Sequence, residues 1–201
     1  MRPDKISYAA KCDPLICLYG ESYLQKHRRS QMNVVVSNKM REMARLKIAL
    51  QNSTTINTLI DVLKPELYKY IGAATKIVSG YNSYRKTCKS SSLAIHMGTN
   101  LKFLSDVARK AFITKDSLFN LKDRDKNIKN ISELREPIAN HWCNDISSLA
   151  NNTLNEKKWE KPKLVSLTKD IQIFQNYVNK MADEAYSNLN RRECIPDNIK
   201  F

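Results

Sequence analysis

Apolar residues recur at steps of three and four along most of this chain, the signature of amphipathic helices with one buried face. Asp13-Pro14 predicts the first helix, with Asp as N-cap and Pro at the first helical position. Ile16, Tyr19, Tyr23 and Leu24 form its stripe, and Lys26, His27, Arg28 and Arg29 place positive charge at its carboxyl end, where the helix dipole favours cations. A second helix, starting near Asn33 or Ser37 and ending at Leu50, has Val36, Met40, Met43, Leu46 and Leu50 on one face, leaving Lys39, Arg41, Arg45 and Lys47 largely off it. A short helix ending near Leu63 precedes one opened by Lys64-Pro65-Glu66, with Leu67, Tyr70, Ile71, Ala74, Ile77 and Val78 inward and Gly80 as its terminator. Residues 81–92 read as a polar, basic loop. Serines 90–92 cap a helix striped by Leu93, Met97, Leu101, Leu104, Ala108 and Ala111. Leu134, Ile138, Trp142, Ile146 and Leu149 mark another helix, which Pro137 either starts or kinks. The last long helix covers 168–189, with Ile171, Phe174, Val178, Met181 and Ala185 inward.

The expected fold is therefore all-α, an irregular bundle of about six or seven amphipathic helices. The expected organisation is a disordered tail over 1–12, a basic helical subdomain over 13–112, an exposed linker over 113–127, a helical pair over 128–190 and a tail over 191–201. Four glycines and six prolines in 201 residues argue against a turn-rich β fold. No apolar run approaches the roughly 18 residues of a membrane span, and the amino terminus lacks the apolar core of a signal peptide, so an intracellular protein with no membrane partner is expected. Five scattered cysteines are expected to be reduced and mostly buried.

Charge adds a direction. The chain holds 34 Lys and Arg against 20 Asp and Glu, a formal net charge of +14. The excess is +6 over residues 1–50 and +4 over 51–100, then +2 in each remaining quarter, so the first half is the expected contact surface. A merely solvated helical surface would carry more balancing carboxylates, and an anionic partner, double-stranded DNA first, is the expectation. Arg28, Arg29, Lys39, Arg41, Arg45 and Lys47 are the expected phosphate contacts. Tyr81, Tyr84, Arg85, Lys86 and Lys89 form an aromatic-basic loop beside them, and Lys161 and Lys163 are a weaker second set.

Chemistry is harder to find. Cys12 and Cys17 followed by His27 have the wrong spacing for a zinc site, and neither a metal nor a cofactor is expected. His96 and His141 fall beside apolar stripes and are expected to be partly buried. Cys143 beside His141 lacks an orienting third group. Gly-rich phosphate loops, GxSxG and HExxH are absent from the sequence.

Four segments carry a family resemblance: LICLYGESYLQKH (15–27), SNKMREMARL (37–46), SLAIHMG (92–98) and EKKWEKPKLVSLTKDI (156–171). In order and spacing they resemble the helical, core-binding-like amino-terminal region of Crypton-type transposon tyrosine-recombinase-like proteins. That resemblance implies a nuclear, DNA-clamping helical region that leads toward a separate catalytic domain. The catalytic half in that family uses an Arg, a His-x-x-Arg pair and a Tyr nucleophile. Here His27 is followed by Arg-Arg-Ser, His96 by Met-Gly-Thr and His141 by Trp-Cys-Asn, so no catalytic residue carries over. The expectation is a non-catalytic DNA-binding region of a truncated or domesticated protein of this kind. The alternative is a helical protein-interaction module that binds an acidic partner or associates with itself as a homo-oligomer.

Overall fold

The computed structural model describes residues 3–26, 29, 31–116, 119, 123–160 and 168–190. It is all-α. Eight α-helices are described: α1 Lys5–Lys11, α2 Pro14–Lys26, α3 Met32–Gln51, α4 Tyr68–Val78, α5 Ser91–Ile113, α6 Arg124–Asn140, α7 Ser148–Trp159 and α8 Thr168–Asn190. Short 3-10 turns at Leu59–Val62 and Pro65–Leu67 lead into α4, and a π-helical turn at Cys143–Ser147 leads into α7. A two-stranded antiparallel hairpin joins α4 to α5, with β1 Tyr81–Asn82 paired to β2 Thr87–Cys88. The chain divides into two units, Met1–Trp159 and Glu160–Phe201. The boundary falls after α7, so residues 128–159 share a unit with 13–112.

Helix α1 corrects the expectation of a disordered tail over residues 1–12. Asp4 caps it: the Ser7 amide donates to Asp4 Oδ1 at 2.8 Å, and the Asp4 amide donates to Ser7 Oγ at 3.1 Å. This reciprocal capping box satisfies amides that the first turn of any helix leaves unpaired. Ala10 is fully buried, and α1 packs on both α2 and α3.

The core of the first unit lies where α3 and α5 meet the other helices. Helix α3 packs on α1, α2, α4 and α5, whereas α5 also packs on α6 and α7. Leu15, Ile16, Tyr19, Met43, Leu46, Leu50, Met97, Leu101, Leu104, Phe112, Leu134 and Ile138 are all buried. Truncating any one of the larger aliphatic side chains to Ala costs about 2–5 kcal/mol in cores of this kind. Gly98 makes room for Trp142 on the α5 face: a Cβ there would lie 2.4 Å from the indole Cδ1. Pro137 sits inside α6 rather than at its start, and the π-helical turn follows within one helical turn of the last α6 residue.

Gly80 follows the carboxyl end of α4 at φ +66°, a left-handed conformation in which a side chain is disfavoured. Its position also lets β2 close. The Lys89 amide donates to the Gly80 carbonyl at 3.2 Å, and a Cβ on Gly80 would lie 2.9 Å from Lys89 Cβ. The span 81–92, expected as a loop, therefore begins as a hairpin.

Candidate nucleic-acid interface

The cations expected on α3 meet three different fates. Lys47 is buried, and its Nζ donates to Asp13 Oδ2 at 2.8 Å. Asp13 is itself 0% exposed and caps α2, with Oδ1 accepting from the Leu15 and Ile16 amides at 3.1 and 3.3 Å. Its Oδ2 also accepts the Leu59 amide at 2.8 Å. The carboxylate thus ties α2, α3 and the 59–62 turn together, with Lys47 as its counter-charge. Lys47 is corrected from a phosphate contact to a core ion pair.

Arg41 is held by α1. Its Nη1 donates to Asp4 Oδ1 at 2.8 Å, and its Nη2 pairs with Asp4 Oδ2. The hydrogen bond from Arg41, joined by that from the Ser7 amide, holds the Asp4 carboxyl well below the usual carboxylate range. Arg41 thereby serves the cap of α1 instead of facing outward. Lys39 is half-buried and donates to Asn100 Oδ1 at 2.8 Å across the α3–α5 contact. Asn100 in turn donates to Glu42 at 2.9 Å, and Lys39 Nζ lies 5.2 Å from the Tyr23 ring centroid. Burial pushes the Glu42 carboxyl up, against the pull of Lys39. Of the four cations on α3, Arg45 alone is exposed. Arg29 is exposed as well, whereas Arg28, Lys161 and Lys163 lie outside the described residues.

The hairpin is different. Asn82 Oδ1 accepts the Tyr84 and Arg85 amides, both at 3.0 Å, which folds residues 82–85 into an Asx-type turn. Lys86 then takes φ 52°, a left-handed conformation that costs a non-glycine residue on the order of 1 kcal/mol. The turn projects Tyr84 at 95% exposure, with Arg85 and Lys86 exposed beside it and Lys89 exposed at the base. The base is anchored to α7: the Cys88 amide donates to Thr153 Oγ1 at 3.2 Å, and Lys157 Nζ donates to the Cys88 carbonyl at 3.4 Å. Lys76 of α4 places its Nζ 5.8 Å from the Tyr81 ring centroid. Among the described residues no carboxylate forms an ion pair with Lys76, Arg85, Lys86, Lys89 or Lys157. Lys86 and Lys89 are three residues apart, roughly 10 Å along an extended chain. The arrangement is a basic protrusion, anchored at its base, with one exposed aromatic ring at its turn.

Lys76 and Lys157 join this cluster although sequence reasoning did not select them. Lys76 follows Gly72 at i+4 on α4, and Lys157 is brought in by tertiary contact with β2. No local spacing signals that contact.

His96 is exposed on α5, and His141 is exposed after α6, which corrects the expectation of partial burial. Cys12, Cys17 and Cys143 are exposed and Cys88 is buried, all as unpaired thiols, so the expectation of mostly buried cysteines is corrected too. Although Cys17 is exposed as a residue, its sulfur lies against the Ala10 and Lys11 carbonyls, and partial desolvation is the main reason that its thiol is pushed up, which works against nucleophilic use. Among the described residues no three His, Cys, Asp or Glu side chains gather as metal ligands. None of the described helices is long and apolar enough to cross a membrane. No protein-family model, curated protein or solved structure matches this chain.

Proposed function

We propose that this chain is a duplex-DNA-binding helical module that grips the phosphate backbone through the hairpin between α4 and α5 and performs no chemistry of its own. The observation that carries this reading is the cluster at the hairpin: Arg85, Lys86, Lys89, Lys76 and Lys157 without carboxylate partners among the described residues, around a Tyr84 ring at 95% exposure. Cations without internal counter-charges release counterions when they meet phosphates, which is the main source of sequence-independent affinity for DNA. An exposed tyrosine adds packing on sugar or base edges. A hairpin anchored at its base presents these groups on an already formed turn, which lowers the cost of ordering the loop on contact. The formal charge of +14 supplies the long-range attraction.

The resemblance of segments 15–27, 37–46, 92–98 and 156–171 to the helical clamp of Crypton-type tyrosine-recombinase-like proteins supports the same reading and adds a nuclear setting. The catalytic His-x-x-Arg pair of that family has no counterpart here, so the module would bind and leave cleavage to another domain.

Titrating the purified protein into a labelled duplex of about 30 base pairs at several salt concentrations tests this. Five neutralised phosphates give a slope of log affinity against log salt of about −4 to −5. Absence of binding at low salt from folded protein would refute it. A second reading, a protein-interaction module, is favoured by one observation only, the exposed apolar face of α8.

A further inference from the structure

Helix α8 makes up almost all of the described part of the second unit, and among the described residues of that unit nothing covers its apolar side chains. Ile171, Phe174, Val178, Met181 and Ala185 follow alternating steps of three and four, the spacing that keeps one seam of a helix turned toward a partner helix. Ile171 is 55% exposed, Phe174 67%, Val178 44% and Met181 49%, and Leu189 continues the stripe at 56%. The stripe was expected to point inward, and the described residues of its own unit form no core around it. The face directly opposite is polar, with Asn176, Asn179, Asp183 and Ser187, while Ile173, Tyr177 and Tyr186 are exposed on the flanks, and Lys180 lies 4.0 Å from Glu184 one turn on.

We propose that this face is covered by α8 of a second copy of the chain, paired as a short two-helix coiled coil. Charge narrows the choice first. Helix α8 carries two lysines against three carboxylates within a chain of net +14, so it is not the basic amphipathic helix that binds nucleic acid or an anionic lipid surface. Asp170 and Glu184 flank the seam two heptads apart, and in a parallel pair they fall opposite Gln175 and Leu189 of the other helix. No carboxylate directly opposes its own kind there.

Pattern narrows it further. Among the described residues no helix of the Met1–Trp159 unit exposes more than two large apolar side chains; the fullest are α3, with Val34 and Val35, and α4, with Tyr70 and Ile77. A second α8 is the described surface whose apolar stripe matches in length and period. Covering Ile171, Phe174, Val178, Met181 and Leu189 on both copies removes on the order of 1,000 Å² from water, at the low end of specific interfaces, so the dimer is weak and concentration-dependent. The inference does not rest on DNA binding by the hairpin.

Sedimentation of the full chain without nucleic acid, from roughly 1 to 200 µM, tests it across the range where such an interface populates. The expected result is a mass that moves from 23.2 kDa toward twice that value as concentration rises. Phe174→Glu with Met181→Glu should hold the chain monomeric at the highest concentration, whereas Lys180→Glu on the polar face should leave dimerisation unchanged. Ala185→Leu, which adds a larger side chain to the seam, should tighten the dimer at least fivefold, which a folding defect would not do. A wild-type chain that stays monomeric throughout overturns the proposal, whether its α8 proves protected from hydrogen exchange by its own chain or exposed to another protein or a lipid. A dimer that survives the double substitution also overturns it.

Discussion

Helix α3 and the α4–α5 hairpin each carry a run of cations in sequence, yet the fold treats them in opposite ways. Helix α3 passes through the middle of the first unit, with α1, α2, α4 and α5 against it. Every cation there that faces a neighbour meets a polar partner: Arg41 meets Asp4, Lys47 meets Asp13 and Lys39 meets Asn100. The hairpin projects from the edge of the unit, anchored by Thr153 and Lys157 of α7, with no acid at its tip. On α3 the fold supplies carboxylates to Arg41 and Lys47 and an amide to Lys39, and leaves Arg45 exposed, whereas no carboxylate among the described residues pairs with Arg85, Lys86 or Lys89 of the hairpin. That accounting, not the density of Lys and Arg, separates a binding surface from a structural one.

The largest effect that sharpens this contrast is on stability. Lys47→Met leaves the Asp13 carboxylate buried and without its counter-charge, and should cost about 3 kcal/mol. Urea denaturation measures this, and Asp13→Asn added to Lys47→Met should restore part of the loss. A neutral result for Lys47→Met would mean that the pair does not hold α3 to α2. The next effect is on binding. Arg85→Glu, Lys86→Glu and Lys89→Glu together should weaken duplex binding at least a hundredfold and make the salt slope shallower by about 2 to 3, with the unfolding midpoint unchanged. Tyr84→Ala should lower affinity about fivefold, the loss of about 1 kcal/mol from one neutral contact to the sugar-phosphate backbone, and should leave the salt slope unaltered. A changed slope would assign Tyr84 an electrostatic role by way of its neighbours.

The smallest effect concerns Arg41. The folded Asp4 carboxyl titrates below its unfolded value because Arg41 and the Ser7 amide favour its ionised form. A depressed acid stabilises the fold at pH above the unfolded value near 4 and loses that contribution as pH falls toward the lower folded value. Arg41→Ala should therefore be less stable than the wild type at neutral pH. The difference should shrink as pH drops below about 4. Solvent screening keeps this effect small for a pair at the surface. Acid denaturation curves of the two proteins that run parallel at all pH values would contradict the assignment.

Much of the helical framework was legible in the sequence. Asp13-Pro14 marks the start of α2 because a capping carboxylate and a ring-fixed φ act locally. Gly80 marks the end of α4 because a left-handed turn favours a residue without Cβ. The stripe Met97, Leu101, Leu104 and Ala108 predicts the buried face of α5, and all four residues are buried. The role of Lys47 was also present in the spacing. Met43, Lys47 and Leu50 stand at i, i+4 and i+7, which puts the lysine on the buried stripe, and Asp13 supplies the matching charge. Helix α1 was missed because seven residues show too little period, although Asp4 and Ser7 have capping-box spacing. The hairpin was missed because strands of two residues leave no alternation to read. Its contacts with Thr153 and Lys157 span more than sixty residues and have no local trace. For α8 the stripe was legible, but a heptad pattern does not say what covers it.

The most direct test of the central claim compares two charge reversals on the same duplex across a salt series, with the fold of each variant verified. Arg85→Glu with Lys86→Glu should weaken binding steeply and flatten the salt dependence. Arg45→Glu, at the exposed cation of α3, should change affinity less than threefold, as expected for a charge away from the contacted phosphates. Equal losses from the two variants, or a larger loss from Arg45→Glu, would place the DNA contact on α3 and contradict the assignment to the hairpin.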